Sequence, residues 1–176
     1  LVLDRSIEGD AEDQIVGTYR LLRHEVARAH GGFYSGAEFA IGELLDRHPE
    51  KRFMELGRSC VHPEWRTGGV ILALWGALAE FMVRNDLDTM VGCASISMRD
   101  GGHAAASLWS QLRHTHLAPV ERQVPPRLPL PIADLQNDLR IEAPALIRGY
   151  LRCGAKVLGP PAWDPEFNTA DLPLML

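Results

Sequence analysis

The stretch from Phe53 to Leu72, FMELGRSCVHPEWRTGGVIL, constrains the fold more than any other. Its first nine residues read as an apolar strand carrying a carboxylate, Glu55, and a guanidinium, Arg58. Pro63 marks a turn, and Arg66-Thr67-Gly68-Gly69 opens a long apolar helix predicted from Gly69 to Asn85. Glycines at such a junction let backbone N–H groups approach a ligand, and the helix N-terminus favours negative charge there. The outline is that of a phosphate cradle. It is not one of the commoner kinds, since neither Gly-x-x-x-x-Gly-Lys-Ser/Thr nor Gly-x-Gly-x-x-Gly precedes the helix.

A chain of 176 residues with 46% hydrophobic and 23% charged residues is expected to form a single domain spanning residues 1–176. The net charge of −5 and the scattered arginines argue against a nucleic-acid partner. Three cysteines, Cys60, Cys93 and Cys153, lack Cys-x-x-Cys spacing, and their odd number does not suit a complete disulfide framework; a reducing cytoplasm is the expected compartment. No apolar run reaches the roughly 20 residues of a transmembrane helix, and no secretory leader is visible. His114 and His116 are two apart and would not share a helical face, so no metal is expected.

Side chains alternate along a strand, so Glu55 and Arg58 should face opposite sides of the sheet. A β-bulge near Gly57 is expected to reset the alternation and turn a backbone N–H toward the site. Further strands are expected at Gln14–Leu22, Asp88–Ser97 and Thr169–Leu176, the last weakened or at an edge because of Pro173. Ser35-x-x-Glu38 reads as a capping box before a helix over Ala37–Asp46, and Arg23–Gly32 as an irregular connection. Helices are expected over His103–His114 and Ala145–Cys153. Between them the prolines at 125, 126, 129 and 131 impose an irregular crossover. Gly92, Ala94 and Ser95 would leave room beside their strand.

Arg66-Thr67-Gly68-Gly69-Val70 resembles the pyrophosphate loop of the GNAT acyltransferase superfamily, in the short form of its ornithine-lipid N-acyltransferase branch. Glu55-Leu56-Gly57-Arg58-Ser59-Cys60-Val61 is similar to that branch and to the acyl-homoserine lactone synthases. Segments at Gly17–Leu22, Gly92–Ser95, His116–Pro119, Gly149–Arg152 and Asp164–Asp171 extend the resemblance nearly from end to end. The resemblance implies a mixed α/β fold with a mostly antiparallel central sheet flanked by helices. It also implies an upstream strand and helices, so the chain is expected to be N-terminally incomplete.

The implied activity is transfer of a 3-hydroxy fatty acyl group from acyl carrier protein to the α-amine of an amino acid, L-ornithine foremost. Acyl-phosphopantetheine or acyl-coenzyme A would be a co-substrate, with no permanently bound cofactor; peripheral membrane contact is compatible with such a product. N-acylation needs a proton acceptor, an oxyanion donor and a proton for the leaving thiolate. Glu55, a backbone N–H beside Gly57, and Tyr150 are the respective candidates. Arg66, Thr67, Gly68, Gly69 and Val70 would hold the donor's phosphate. Arg20 and Arg58 would take the acceptor carboxylate, Ser95 would line the site, and Asp164 and Asp171 would meet a cationic side chain. Cys60 or Cys93 with His62 offers a nucleophile alternative, disfavoured because buried thiols are inert. Other readings are acetyl-coenzyme A-dependent acetylation of a small amine, an acyl-homoserine lactone synthase, and a non-catalytic acyl-carrier-binding module. Gly57 stands where the lactone synthases favour Ser or Thr.

Overall fold

The computed structural model describes residues 1–176. The apolar alternation of the central segment produces β3 (Phe53–Val61), with Phe53, Met54 and Glu55 buried. Seven strands form one sheet in the order β1 (Val2–Leu3), β2 (Ile15–Arg23), β3, β4 (Thr89–Ser97), β7 (Thr169–Met175) and β5 (Lys156–Val157), with β6 (Ala162–Asp164) also beside β7. Only β3 and β4 run parallel; the other pairs are antiparallel. Parallel neighbours need a crossover, and α3 (Gly69–Arg84) supplies it.

The parallel pair is short. Pairing runs from Phe53↔Thr89 to Leu56↔Gly92 and then stops, although both strands continue. Beyond that point β3 stays paired with β2 and β4 with β7, so the two central strands part like a wedge. The bulge expected near Gly57 occurs immediately after it. Arg20 pairs with Gly57 and Thr18 with Cys60, so Arg58 and Ser59 together oppose Tyr19. Arg58 is in the left-handed region at φ 53°, a cost of roughly 1–2 kcal/mol for a residue with a Cβ.

Two cores lie on opposite faces of the sheet. Ala94 and Ile96 of β4 with Leu172 and Leu174 of β7 pack against Ala105, Leu108, Trp109 and Leu112 of α4 (His103–Thr115) and Ile147 of α5 (Ala145–Arg152). Val91 and Met175, one step out of phase, join Phe53, Phe33, Phe39 and Ile41 and Leu44 of α2 (Ile41–Arg47). The proline-rich crossover contributes Val124 to this second core and Leu130 to the first, so it is a packed element rather than a linker. α3 and α5 meet where Trp75 stacks on Tyr150 at 5.8 Å, close enough that a Cβ on Gly149 would sit 2.2 Å from the indole.

Several sequence expectations are corrected. Residues His24–Ala29 form a helix, α1, anchored by buried Ala27, where an irregular connection was expected. The expected helix at Ala37 is a 3-10 turn over Tyr34–Ala37 followed by α2, and Ser35 and Glu38 do not form a capping box, because the Ser35 N–H and hydroxyl are given to Glu55. β7 is an interior strand, not an edge. Pro173 is tolerated there because β6 pairs with 169–171 and β5 with 174–175, leaving the gap between those strands opposite the proline.

Gly92 does not leave room. A Cβ there would lie 2.6 Å from the Leu56 carbonyl oxygen, so its absence is what lets β3 and β4 pair at the apex of the wedge. Backbone would have to shift to accept it. Gly92→Ala is therefore expected to cost about 1–3 kcal/mol, read as a lower urea midpoint at unchanged slope.

Candidate active site

The wedge opens into a cleft of about 460 Å³ lined from both faces of the sheet. Leu146 and Tyr150 of α5 enter from the face carrying the first core, with which Tyr150 packs. Tyr34, Ser35 and Glu38 come from the opposite side, interleaved with Phe33 and Phe39 of the second core. Glu55, Gly57 and Arg58 of β3 and Cys93, Ala94 and Ser95 of β4 form the parted edges, and Asp164, Phe167 and Asp171 close the end. The opening thus passes through the sheet. Two reactants can reach one point from opposite faces without a covalent relay.

Glu55 is 3% exposed, and its carboxylate accepts three hydrogen bonds. Oε2 accepts from the Tyr34 N–H at 2.8 Å, and Oε1 from the Ser35 N–H at 2.7 Å and the Ser35 hydroxyl at 2.6 Å. Charge-assisted bonds of this kind are strong, and they fix the turn that carries Tyr34. The Tyr34 ring in turn holds two guanidinium groups, those of Arg20 and Arg58, at 5.6 and 5.5 Å from its centroid. Arg58 also lies 5.9 Å from the Phe167 ring. Neither arginine is among the molecule's ion pairs, so both keep their charge for an anion.

The facing wall is acidic. Carboxylate oxygens of Glu38, Asp164 and Asp171 lie within 4.8 Å of one another. Asp171 is 4% exposed, with Thr169 Oγ1 3.4 Å from its Oδ2, while Oδ1 has no partner. Oε2 of Glu38 is likewise buried without a partner. Burial, then the charges of Asp171 and Asp164, push Glu38 up to about 7; burial also raises Asp171. Asp164 has a second task, since Oδ1 accepts the N–H groups of Glu166 and Phe167 in the turn between β6 and β7.

Of the residues singled out in the sequence, Arg20, Glu55, Gly57, Arg58, Ser95, Tyr150, Asp164 and Asp171 converge on this cleft. Arg66, Thr67, Gly68, Gly69 and Val70 do not line it. They lie beyond the far end of β3, where Gly68 takes φ 105° and α3 begins without a side-chain cap, its first N–H groups having no partner inside the helix. Arg66 Nε donates to the Val61 carbonyl at 3.0 Å, and Trp65 Nε1 donates to Asp4 at 3.0 Å, which ties the turn to the strand and to the N-terminal segment. Burial and nearby carboxylates push the Cys93 thiol well up, which weakens it as a nucleophile. Cys60 is exposed, not buried as expected, but it does not line the cleft.

A model of the acetyltransferase (GNAT) domain matches residues 2–76. Proteins described as L-ornithine N(alpha)-acyltransferase from Agrobacterium fabrum and Rhizobium meliloti are each 47% identical over the whole chain, which spans 62% of their length. One so described from Rhodobacter capsulatus is 36% identical over the whole chain, which spans 69% of it. The chain belongs to this family of GNAT acyltransferases. No solved structure matches it. The sheet with its single parallel pair and flanking helices is the GNAT architecture that the sequence implied.

Glu38 and Tyr34 are the cleft residues that sequence reasoning missed. Ser35-x-x-Glu38 satisfies a local helix rule, and no local pattern discloses that Ser35 is taken by Glu55, 20 residues away, leaving Glu38 to turn into the cleft. Crowding of carboxylates has a measurable consequence. An acid with a raised native value binds its proton more tightly folded than unfolded, so it contributes stability below its ordinary value of 4.5 that is lost as pH rises through about 7. With Asp171, Asp164 and Cys93 facing it, Glu38→Gln is expected to raise the melting midpoint relative to wild type increasingly between about pH 5 and pH 8. Scanning fluorimetry across that range checks it, and a constant offset contradicts it.

Proposed function

We propose that this chain, as one domain over residues 1–176, transfers a 3-hydroxy fatty acyl group from acyl carrier protein to the α-amine of L-ornithine. The observation that carries the reading is the charge-sorted cleft through the parted strands. Arg20 and Arg58 share the Tyr34 ring without ion-pair partners, and three carboxylates cluster within 4.8 Å of one another elsewhere in the same cleft. An α-amino acid with a cationic side chain matches both, its carboxylate to the guanidinium pair and its terminal charge to Asp164 and Asp171. The activity by which the relatives are described agrees with it.

The unpaired inner edges of β3 and β4 beyond Leu56 and Gly92 offer backbone N–H and C=O groups to an extended, amide-bearing chain such as pantetheine. Arg66 and the free N–H groups from Thr67 to Val70 would hold its phosphate at the start of α3, or the pyrophosphate if coenzyme A is the donor. The acceptor nitrogen attacks the thioester carbon, the C–S bond breaks, and the amide forms. Glu55, with acceptor capacity left after its three bonds, takes the ammonium proton directly or through water. A backbone N–H beside Gly57, aimed by the bulge, meets the oxyanion. The Tyr150 hydroxyl returns a proton to the leaving thiolate. Such a donor places the protein in the cytoplasm. No helix is long and apolar enough to cross a membrane, and exposed Tyr34 and Phe167 at the cleft mouth suit peripheral contact with the membrane that receives an acylated product.

The direct test is release of free thiol from long-chain acyl carrier protein in the presence of L-ornithine, with mass spectrometry of the product from a mixture of amino acids. Turnover confined to acetyl-coenzyme A would overturn the carrier-protein donor. Within that assay Glu55→Gln is expected to lower kcat by about 10²–10⁴ at a temperature where the variant remains folded. It should also lose about 1–3 kcal/mol of stability, because the introduced amide N–H meets the N–H of Tyr34 or Ser35. Arg58→Gln is expected to raise KM for the amino acid about tenfold or more with a smaller effect on kcat, since it removes one charged partner of the carboxylate.

A further inference from the structure

Glu38 enters the cleft beside two aspartates, and none of the three carboxylates is in an ion pair. Three carboxylates within 4.8 Å of one another are mutually repulsive, and a folded protein relieves such an arrangement by holding a proton or a cation there. Asp171 is 4% exposed, and Glu38 and Asp164 are half-buried. All three line the cleft, and Asp171 Oδ1 and Glu38 Oε2 have no partner. Buried polar atoms are satisfied almost without exception, so two unpartnered carboxylate oxygens in one cluster call for a donor, either a proton shared by the two acids or a cation brought by a ligand. An ammonium group has three N–H donors and no acceptor, matching one donor to each carboxylate.

We infer that Glu38, with Asp171 and Asp164, forms the receptor for the side-chain ammonium of the acceptor, and that Glu38 sets the preference for diamino acids over neutral amino acids. The inference rests on the acyl-transfer reading for the identity of the acceptor. Its physical basis is independent of the proton transfer assigned to Glu55. Glu38 sits in the turn after Tyr34, so the clamp that Glu55 makes on Tyr34 and Ser35 positions the aromatic platform for the two arginines and the carboxylate of Glu38 together. One short segment therefore places both the anion-binding and the cation-binding ends of the site.

The test compares L-ornithine with L-norvaline, which keeps the α-amine, the carboxylate and a three-carbon side chain but lacks the ammonium. Calorimetric titration of the full chain with each, and kcat and KM with one long-chain acyl donor, are measured for wild type and Glu38→Gln. Expected results are a wild-type preference for ornithine and a rise of at least tenfold in its Kd and KM in the variant. The norvaline Kd and KM should not rise in the variant. Asp171→Asn should act in the same direction, which guards against a folding defect peculiar to one variant. Equal weakening of both amino acids, or no wild-type preference, overturns the receptor. So does saturation of the wild-type site by Mg²⁺ or Ca²⁺ alone that Glu38→Gln abolishes, since the cluster would then be a metal site. Selective ornithine binding without any acylation would leave the receptor standing and remove the transfer reading instead.

Discussion

The abrupt end of the β3–β4 ladder after Leu56 and Gly92 is the constraint on which the rest depends. A sheet normally pays for an interruption with unpaired backbone, and here each strand keeps its outer partner while the inner edges open. Gly92 sets the apex, since only a residue without a Cβ lets the Leu56 carbonyl come so close. Two residues beyond Leu56, the bulge at Arg58 and Ser59 bends β3 away and brings the Arg58 guanidinium round to the face of Glu55. The strained backbone of Arg58 belongs to this device. A regular ladder would be cheaper and would close the passage through the sheet.

Glu55 links this opening to the acceptor wall. A lone ionised carboxylate at 3% exposure would be expensive, and three donors from Tyr34 and Ser35 make it tolerable. The same bonds tie the turn to the strand, so the strand helps dictate where the turn's side chains go. Tyr34 thereby becomes a platform under two cations, and Glu38 is carried into the cleft. Arg20 reaches the platform from β2 because its partner in the ladder is Gly57, which presents no side chain in its way.

Much of this was legible in the sequence. The strand–loop–helix unit from Phe53 onward, the bulge, and the convergence of Arg20, Glu55, Arg58, Tyr150, Asp164 and Asp171 follow from alternation, glycine placement and the family resemblance. Two of the misses share one cause. Ser35 and Glu38 obey a helix-capping pattern, but a buried carboxylate 20 residues away outcompetes it for the serine. Pro173 obeys an edge-strand rule, but the gap between β5 and β6 supplies an interior position where its missing N–H is harmless. Local rules failed where a long-range partner had already claimed the group, and such partners become visible only in three dimensions.

The cleft holds two arginines and three carboxylates that do not pair with each other. Opposite charges free to move would meet, so their separation has to be imposed by the scaffold. The stacking of both guanidinium groups on Tyr34 restrains one set, while burial at the β6–β7 end restrains the other. A site held apart in this way is preorganised: reorganisation is charged to folding rather than to binding. A ligand carrying separated charges of the right order then satisfies both walls at once, whereas one lacking either charge leaves a desolvated group unpaired, which is the stronger source of discrimination. On the proposed reading, the orphaned oxygens of Glu38 and Asp171 are the counterpart of the unpaired arginines, the two ends of a single recognition device.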